Sequence, residues 1–392
     1  MPKPTVVSAT VLLSGMLVLQ PLVEARLPQS PARRGLTEAT RLASIYDTIL
    51  DARFDEAKNR LAGACPPAPP AACAALHEVA WWWEIQQDVW NRRLDGRLES
   101  AAAAAIDAAS DWTRREPTSG EAWFYHAGAY APLSQWRVLR GERLAAARDG
   151  RRIKESLERA LTLDDTLYDA WFGIGLYHYY ADVAPAALKV LRFLLLLPGG
   201  DRQQGLAEML RARDRGVLLR GEADYQMHWL YLWYEDQPGR ARELLSRLDA
   251  QHPSNPLFLQ RLADVEHEYF SDHQASATAW QALLERARGG RVALPALAEA
   301  RARVGLAAEW IDLGQPARAL DLLAPVIRAR PTEPHGVLAL AHLTLGHAHA
   351  GLGDRTQAAE SYSRAVETAP RDDPDGIRRR AREGLSRVRS RR

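Results

Sequence analysis

The sequence predicts an all-α protein, a right-handed helical solenoid of antiparallel helix pairs that is irregular in its N-terminal half. Three observations carry this. A pattern of small or apolar residues spaced by four, three and five positions recurs at Ala358, Tyr362, Ala365, Pro370, at Ala319, Leu323, Val326, Pro331, at Trp280, Leu284, Ala287, Val292 and at Ala241, Leu245, Leu248, Pro253, one unit every 39 residues. A constant period of this size marks an array in which each unit is one helix pair. Within a unit the spacing is helical: small residues stand where two helices approach closely, larger ones fill the gaps, and proline stops the second helix. The composition, 47% hydrophobic with a formal net charge of +2 over 392 residues, is that of a globular chain and gives no reason to expect a nucleic-acid partner.

The most complete unit is Leu338–Asp372, LALAHLTLGHAHAGLGDRTQAAESYSRAVETAPRD. Its first helix carries Leu345-Gly346, its second Ala358, Tyr362 and Ala365, and Pro370 closes it. This resembles a tetratricopeptide (TPR) repeat, with His342 and His349 standing for the usual Trp and Tyr. The resemblance implies a superhelix whose concave groove binds a peptide or protein segment. A period of 39 residues rather than about 34 implies longer helices or loops. Upstream the pattern returns at Ile153, Leu157, Ala160, Asp165, at Ala105, Ala109, Trp112, Pro117 and at Ala57, Leu61, Ala64, Pro69, now 48 residues apart. The additional residues are themselves helix-like, so residues 37–220 are expected to form a thicker, irregular array, residues 221–373 the regular repeats, and residues 374–392 a basic capping helix.

From the start of the chain, residues 1–25 read as a signal peptide: Lys3, an apolar run Val11–Leu19, then Pro21 and Val23-Glu24-Ala25 as a small-residue cleavage site. A retained anchor is the competing reading, because Thr5–Val23 almost reaches bilayer length. Residues 26–36 are a linker. The protein is therefore expected to be periplasmic or secreted, which makes a disulfide between Cys65 and Cys73 chemically favoured. The two cysteines bracket PPAPPAA, a proline-rich hairpin between two helices, and their C-x7-C spacing has no partner for a zinc or redox site.

Next comes Leu76–Asp95, with Trp81, Trp82 and Trp83 in succession. Three consecutive side chains on a helix point in three directions, so neighbours must cover this helix on more than one side. Gly120–Tyr130 reads as a first repeat helix. The arginines at 137, 140, 143, 148, 151 and 152, interleaved with glutamates, read as a solvated charged surface.

In Asp169–Asp182, DAWFGIGLYHYYAD, Trp171, Ile174, Gly175 and His178 occupy packing positions, leaving Asp169, Phe172, Leu176 and Tyr179 for the groove. The run Leu191–Leu197 reads as a deeply buried helix, Pro198-Gly199-Gly200 as its break and Asp201 as the cap of the next helix. With its Leu- and Lys-bearing helix followed by Gly200, Asp201, Arg202, Gly205 and Leu206, Asp182–Glu235 resembles the eukaryotic inclusion-body-clearance family of TPR-like proteins. The chain as a whole resembles exported bacterial TPR proteins of uncharacterised type. Neither resemblance brings catalytic residues.

The groove contacts expected are Phe172 and Tyr179, with Tyr225, His228 and Tyr231 from EADYQMHWLYLWYE. His267, Glu268 and His273 lack the i, i+4 spacing of a zinc helix and read as ordinary histidines, as do His342, His347 and His349. No nucleophile elbow, phosphate loop or dinucleotide fingerprint occurs. The expected function is a non-enzymatic scaffold without cofactor or metal that binds a protein or peptide. The alternative is a carbohydrate-binding or carbohydrate-cleaving protein, motivated by 12 tryptophans; two carboxyl groups facing each other across an aromatic groove would favour it, and an apolar or mixed groove without them would favour the scaffold. In Asp375–Arg392 the stripe Ile377, Ala381, Leu385, Val388 suits a cap, and its eight arginines suit weak contact with an anionic membrane surface.

Overall fold

Each second helix of the regular repeats buries the residues that set the period. In the computed structural model, which describes residues 34–183 and 199–390, the helix pairs are α10 (Arg220–Trp233) with α11 (Pro238–Gln251), α12 (Pro256–Phe270) with α13 (His273–Arg288), α14 (Pro295–Asp312) with α15 (Pro316–Ala329), and α16 (Val337–Gly351) with α17 (Arg355–Thr368). Ala241, Leu245 and Leu248, then Trp280, Leu284 and Ala287, then Ala319, Leu323 and Val326, then Ala358, Tyr362 and Ala365 are all buried. Helix starts follow local chemistry. Proline fills a first-turn position of α11, α12, α14 and α15, where its missing N–H costs nothing, and Asn255, Asp272 and Asp354 accept from backbone amides at the starts of α12, α13 and α17.

Glycine in the first helix makes room for the aromatic ring of the second. A Cβ on Gly346 would stand 2.6 Å from the Tyr362 ring, and one on Gly305 would meet the Trp280 indole just as closely. This is the physical content of the Leu345-Gly346 signature. After α17, helix α18 (Ile377–Ser390) lays Ile377 and Ala381 against the last pair, with Leu385 and Val388 partly buried beside them. Arg378 donates 2.6 Å to the Ala369 carbonyl near the end of α17, while Arg379 pairs with Glu383 on the exposed face.

The N-terminal half is made of α1 (Ala39–Leu50), α2 (Phe54–Ala62), α3 (Pro70–Gln86), α4 (Asp95–Arg115), α5 (Gly120–Gly128), α6 (Ala131–Arg140), α7 (Arg143–Leu163), α8 (Ala170–Val183) and α9 (Arg202–Arg215). Helix α3 pairs with α4, α5 with α7 and α8 with α9; the short α6 is inserted between α5 and α7 and accounts for part of the longer period. Helices α8 and α9 cross at two glycines, where a Cβ on either would lie 2.6 Å from the other's carbonyl oxygen. Asp201 accepts from the Gln204 amide, as its capping position requires. The expected signal segment and the leucine run Leu191–Leu197 lie outside the described residues, and among those described no helix is long and apolar enough to cross a membrane.

Cys65 and Cys73 are joined by a disulfide. Cys73 already lies inside α3, because Pro70 is tolerated as the first helical residue. The three tryptophans diverge as a helix dictates: Trp82 and Trp83 are buried, and Trp81 lies under the Lys58 ammonium, 3.3 Å from its ring centroid. The arginine-rich segment is only partly solvated. Arg137 pairs with buried Asp149, and Arg140 turns inward to make two bonds to Asp95, at 2.9 and 2.7 Å, and one to the Val89 carbonyl.

What covers α3 is the far half of the chain. Trp83 donates to Glu222 and packs against Tyr225 and Phe258, with ring centroids 4.7 and 6.0 Å away. Gln87 reaches Asn255, Arg301 donates to the Gln87 carbonyl, and the His335 amide donates to Asp88. Helix α1 adds Tyr46 to Glu222, and the Asn255 amide donates to the Leu50 carbonyl. Glu222, Asn255, Arg301 and His335 each stand at the first helix of a successive repeat or just before it, so α3 and the turn after it run across four repeats. Arg34–Arg392 accordingly form one unit.

Candidate functional site

Where α3 meets α5, α6, α7, α8 and α10 the packing leaves a cavity of about 500 Å³, within the range of ligand pockets. Its wall is apolar. Leu76, Val79 and Trp82 come from α3, Phe124 from α5, and Phe172 and Leu176 from α8. Exposed Arg151 and Tyr180 are also among the lining residues, which brings the cavity to the surface between α7 and α8.

Few polar groups face this space, and most are engaged. Asp169 accepts from the amides of Val217, Leu218 and Leu219 at 2.8–3.0 Å and so fixes the entry to α10. Glu222 accepts from Tyr46 at 3.0 Å, from Trp83 at 3.1 Å and from Gln226 at 2.9 Å, and Gln226 also donates to Gln135. Burial pushes the Glu222 carboxyl above its ordinary range, and its three hydrogen bonds offset this only in part. The exception is Tyr125. Its hydroxyl is buried without a hydrogen-bond partner among the described residues, and burial, followed by the charges of Glu121 and Asp169, pushes its pKa far up. Leaving such a group unpaired costs about 1–3 kcal/mol, and with its oxygen covered on all sides the hydroxyl does not open into the cavity. The cavity wall suits an apolar ligand.

Of the five expected groove residues, the structure brings Phe172 to the cavity, together with Asp169 and Leu176 of the same helical stripe. The other four are packed inside. Tyr179 and Tyr231 lie in the core shared by α8 to α11, with the Tyr179 hydroxyl bonded to Glu235, because a helix in the middle of the array buries two faces. Tyr225 is covered by Trp83, and His228 is fully buried beside it with Nδ1 against the Tyr225 carbonyl. Only at Tyr225 is the place assigned to a partner occupied by the chain's own α3. Tyr125, Gln135 and Gln226 were missed, since nothing in their local sequence shows that α5, α6 and α10 converge.

A second cluster lies away from the cavity. His267, His273, Glu309 and Asp312, from α12, α13 and α14, come together with one ligand atom each. The sequence shows the two histidines, but their carboxylate partners stand about 40 residues further on, and Glu268 is not among them.

No family model and no curated protein matches the chain. Among solved structures, similarity is found to the APC/C hetero-tetramer Cut9-Hcn1, 14% identical with a TM-score of 0.41 over 88% of this chain and 62% of that one. The chain thus spans less than two thirds of that neighbour's length. A human IFIT1 dimer with PPP-AAAA is 12% identical with a TM-score of 0.43, covering 92% of this chain and 87% of that one. The P58(IPK) TPR domain is 13% identical with a TM-score of 0.21, covering 76% and 96% respectively.

Proposed function

We propose that this protein is a non-enzymatic exported scaffold that takes an apolar segment of a protein partner into the cavity between α3, α6 and α8. The observation that carries the reading is the apolar wall of a cavity that comes to the surface between α7 and α8. The side chains of an extended apolar segment fill that wall. Helix α3 already covers the inner face of α10 and α12, so the partner's place moves from that face to the cavity. Export is supported by the apolar N-terminal run and by the Cys65–Cys73 bridge, which suits an oxidising compartment. The basic outer face of α18 offers a secondary contact to an anionic membrane surface. The two carboxyl groups that line the cavity, Asp169 and Glu222, are both engaged in holding the fold, which favours the scaffold over the carbohydrate reading.

The test is a titration of the full chain with fluorescently labelled apolar hexapeptides and, in parallel, with neutral oligosaccharides. Saturable peptide binding is expected. Leu176→Arg, on the cavity wall, weakens it at least about 10-fold. Peptide binding that ignores this substitution, or saturable binding of oligosaccharide alone, overturns the proposal.

A further inference from the structure

We propose that His267, His273, Glu309 and Asp312 form a site for a divalent transition-metal ion of the zinc type, which ties one repeat to the next. His267 Nδ1 lies 3.0 Å from one Glu309 oxygen, His273 Nδ1 lies 3.0 Å from the other, and His273 Nδ1 lies 4.0 Å from an Asp312 oxygen. One ligand atom from each of the four residues falls within 4.8 Å of every other. Zinc bonds to nitrogen and oxygen run about 2.0–2.2 Å, so tetrahedral ligand atoms stand about 3.3–3.6 Å apart. The separations found lie on both sides of that edge length and reach up to 4.8 Å, so side-chain adjustments of about one ångström close the shell.

The local fold explains why these groups meet. Helix α12 ends at Phe270, Ser271 adopts a left-handed conformation, and Asp272 caps α13, so the chain reverses between the two histidines. Their rings stand 5.0 Å apart and nearly perpendicular, which lets both Nδ1 atoms face one carboxylate. Glu309 and Asp312 are i, i+3 on α14 and share a face. Glu309 is buried, with both oxygens turned to imidazoles, while the side chains of His267, His273 and Asp312 are partly exposed, so a hydrated ion reaches the site from solvent. Two imidazole nitrogens with two carboxylate oxygens form a donor set that favours zinc, cobalt or nickel over magnesium or calcium. Asp312 fills the fourth position, which makes the site a closed, structural one rather than a catalytic one. Its place matters because an array of repeats is only as stable as the contacts between neighbours, and this site bridges the α12–α13 pair to α14.

The experiment uses the full chain, stripped with chelator and titrated with Zn²⁺, Co²⁺ and Mg²⁺. One equivalent of Zn²⁺ is expected to bind and to raise Tm by about 5 °C or more, with no response to Mg²⁺. Co²⁺ is expected to give the intense visible absorption of a tetrahedral complex. His267→Ala and Asp312→Asn, both at partly exposed positions, still fold without metal, and the histidine variant lowers Zn²⁺ affinity at least about 100-fold. A chain that binds no Zn²⁺, a weakly absorbing octahedral Co²⁺ spectrum, or unchanged affinity in His267→Ala overturns the site.

Discussion

Between Arg220 and Thr368 each helix packs chiefly on its neighbours in the sequence, whereas α3 and the turn after it, besides packing on α2 and α4, reach residues 139 to 247 positions away. In the first region stability is close to a sum of repeat and interface terms, and damage spreads to neighbours. In the second, α3 and the turn after it touch four repeats at once. Helix α3 therefore couples units that a simple solenoid leaves independent, and its long-range contacts carry a larger chain-closure cost before they are rewarded.

The largest effect expected from this contrast is at Trp83. Trp83→Ala should cost about 3–5 kcal/mol in denaturant unfolding and should speed hydrogen exchange in α10 and α12. Trp280→Ala carries a similar cost, but faster exchange should stay within α13 and α14. Unchanged exchange in α12 on Trp83→Ala would erase the distinction between the two regions.

Removing the bridge that anchors the start of α3 comes next. The double change Cys65→Ser/Cys73→Ser should lower stability by about 2–3 kcal/mol, the value for so short a loop, with equal loss seen by α3 and by the repeats it touches. Loss confined to α2 and α3 would mean that α3 does not couple the repeats.

The pH dependence should separate two groups on α10. Burial pushes His228 down to about 3, so the folded chain keeps it neutral while the unfolded chain protonates it near 6.5. Its contribution is fully present above pH 6.5 and is lost as pH falls towards 3, at about 1.4 kcal/mol per pH unit. Glu222 acts in the opposite sense. Its folded pKa is raised from 4.5 by burial, so its contribution is present below that value and is lost as pH rises through the folded pKa. Unfolding measured from pH 4 to 8 should show a flatter acid limb in His228→Gln and a flatter neutral limb in Glu222→Gln.

The smallest effect is expected at the C-terminal cap. Arg379→Gln with Arg382→Gln should change stability by less than about 0.5 kcal/mol, since both side chains are exposed. Arg378→Gln should cost more, because its guanidinium bonds the end of α17.

These regions also differ in how much of them can be read from the sequence. The period at Ala241, Trp280, Ala319 and Ala358 is the burial pattern itself, because each pair contacts the next in sequence. The cap stripe of α18 and the glycine beneath Tyr362 are legible for the same reason. In the other half the three tryptophans show that α3 is covered but not by what, since periodicity carries no information about Tyr225 or Phe258 at that distance. The cavity was half visible: Asp169, Phe172 and Leu176 lie on one helical stripe, while Tyr125 and Gln226 join them only through the turn of the array. Tyr179, Tyr225, His228 and Tyr231 read as groove residues from the sequence because aromatic residues at helical spacing look alike whether they face a ligand or another part of the chain.

The measurement that tests the account most directly is a double-mutant cycle between Trp83 and Tyr225, which pack with ring centroids 4.7 Å apart and 142 positions apart in the sequence. Unfolding free energies of Trp83→Leu, Tyr225→Leu and the pair should give a coupling of about 0.5–1.5 kcal/mol. A coupling indistinguishable from zero would mean that α3 does not lie on the inner face of the repeats, and the cavity built on that contact would go with it.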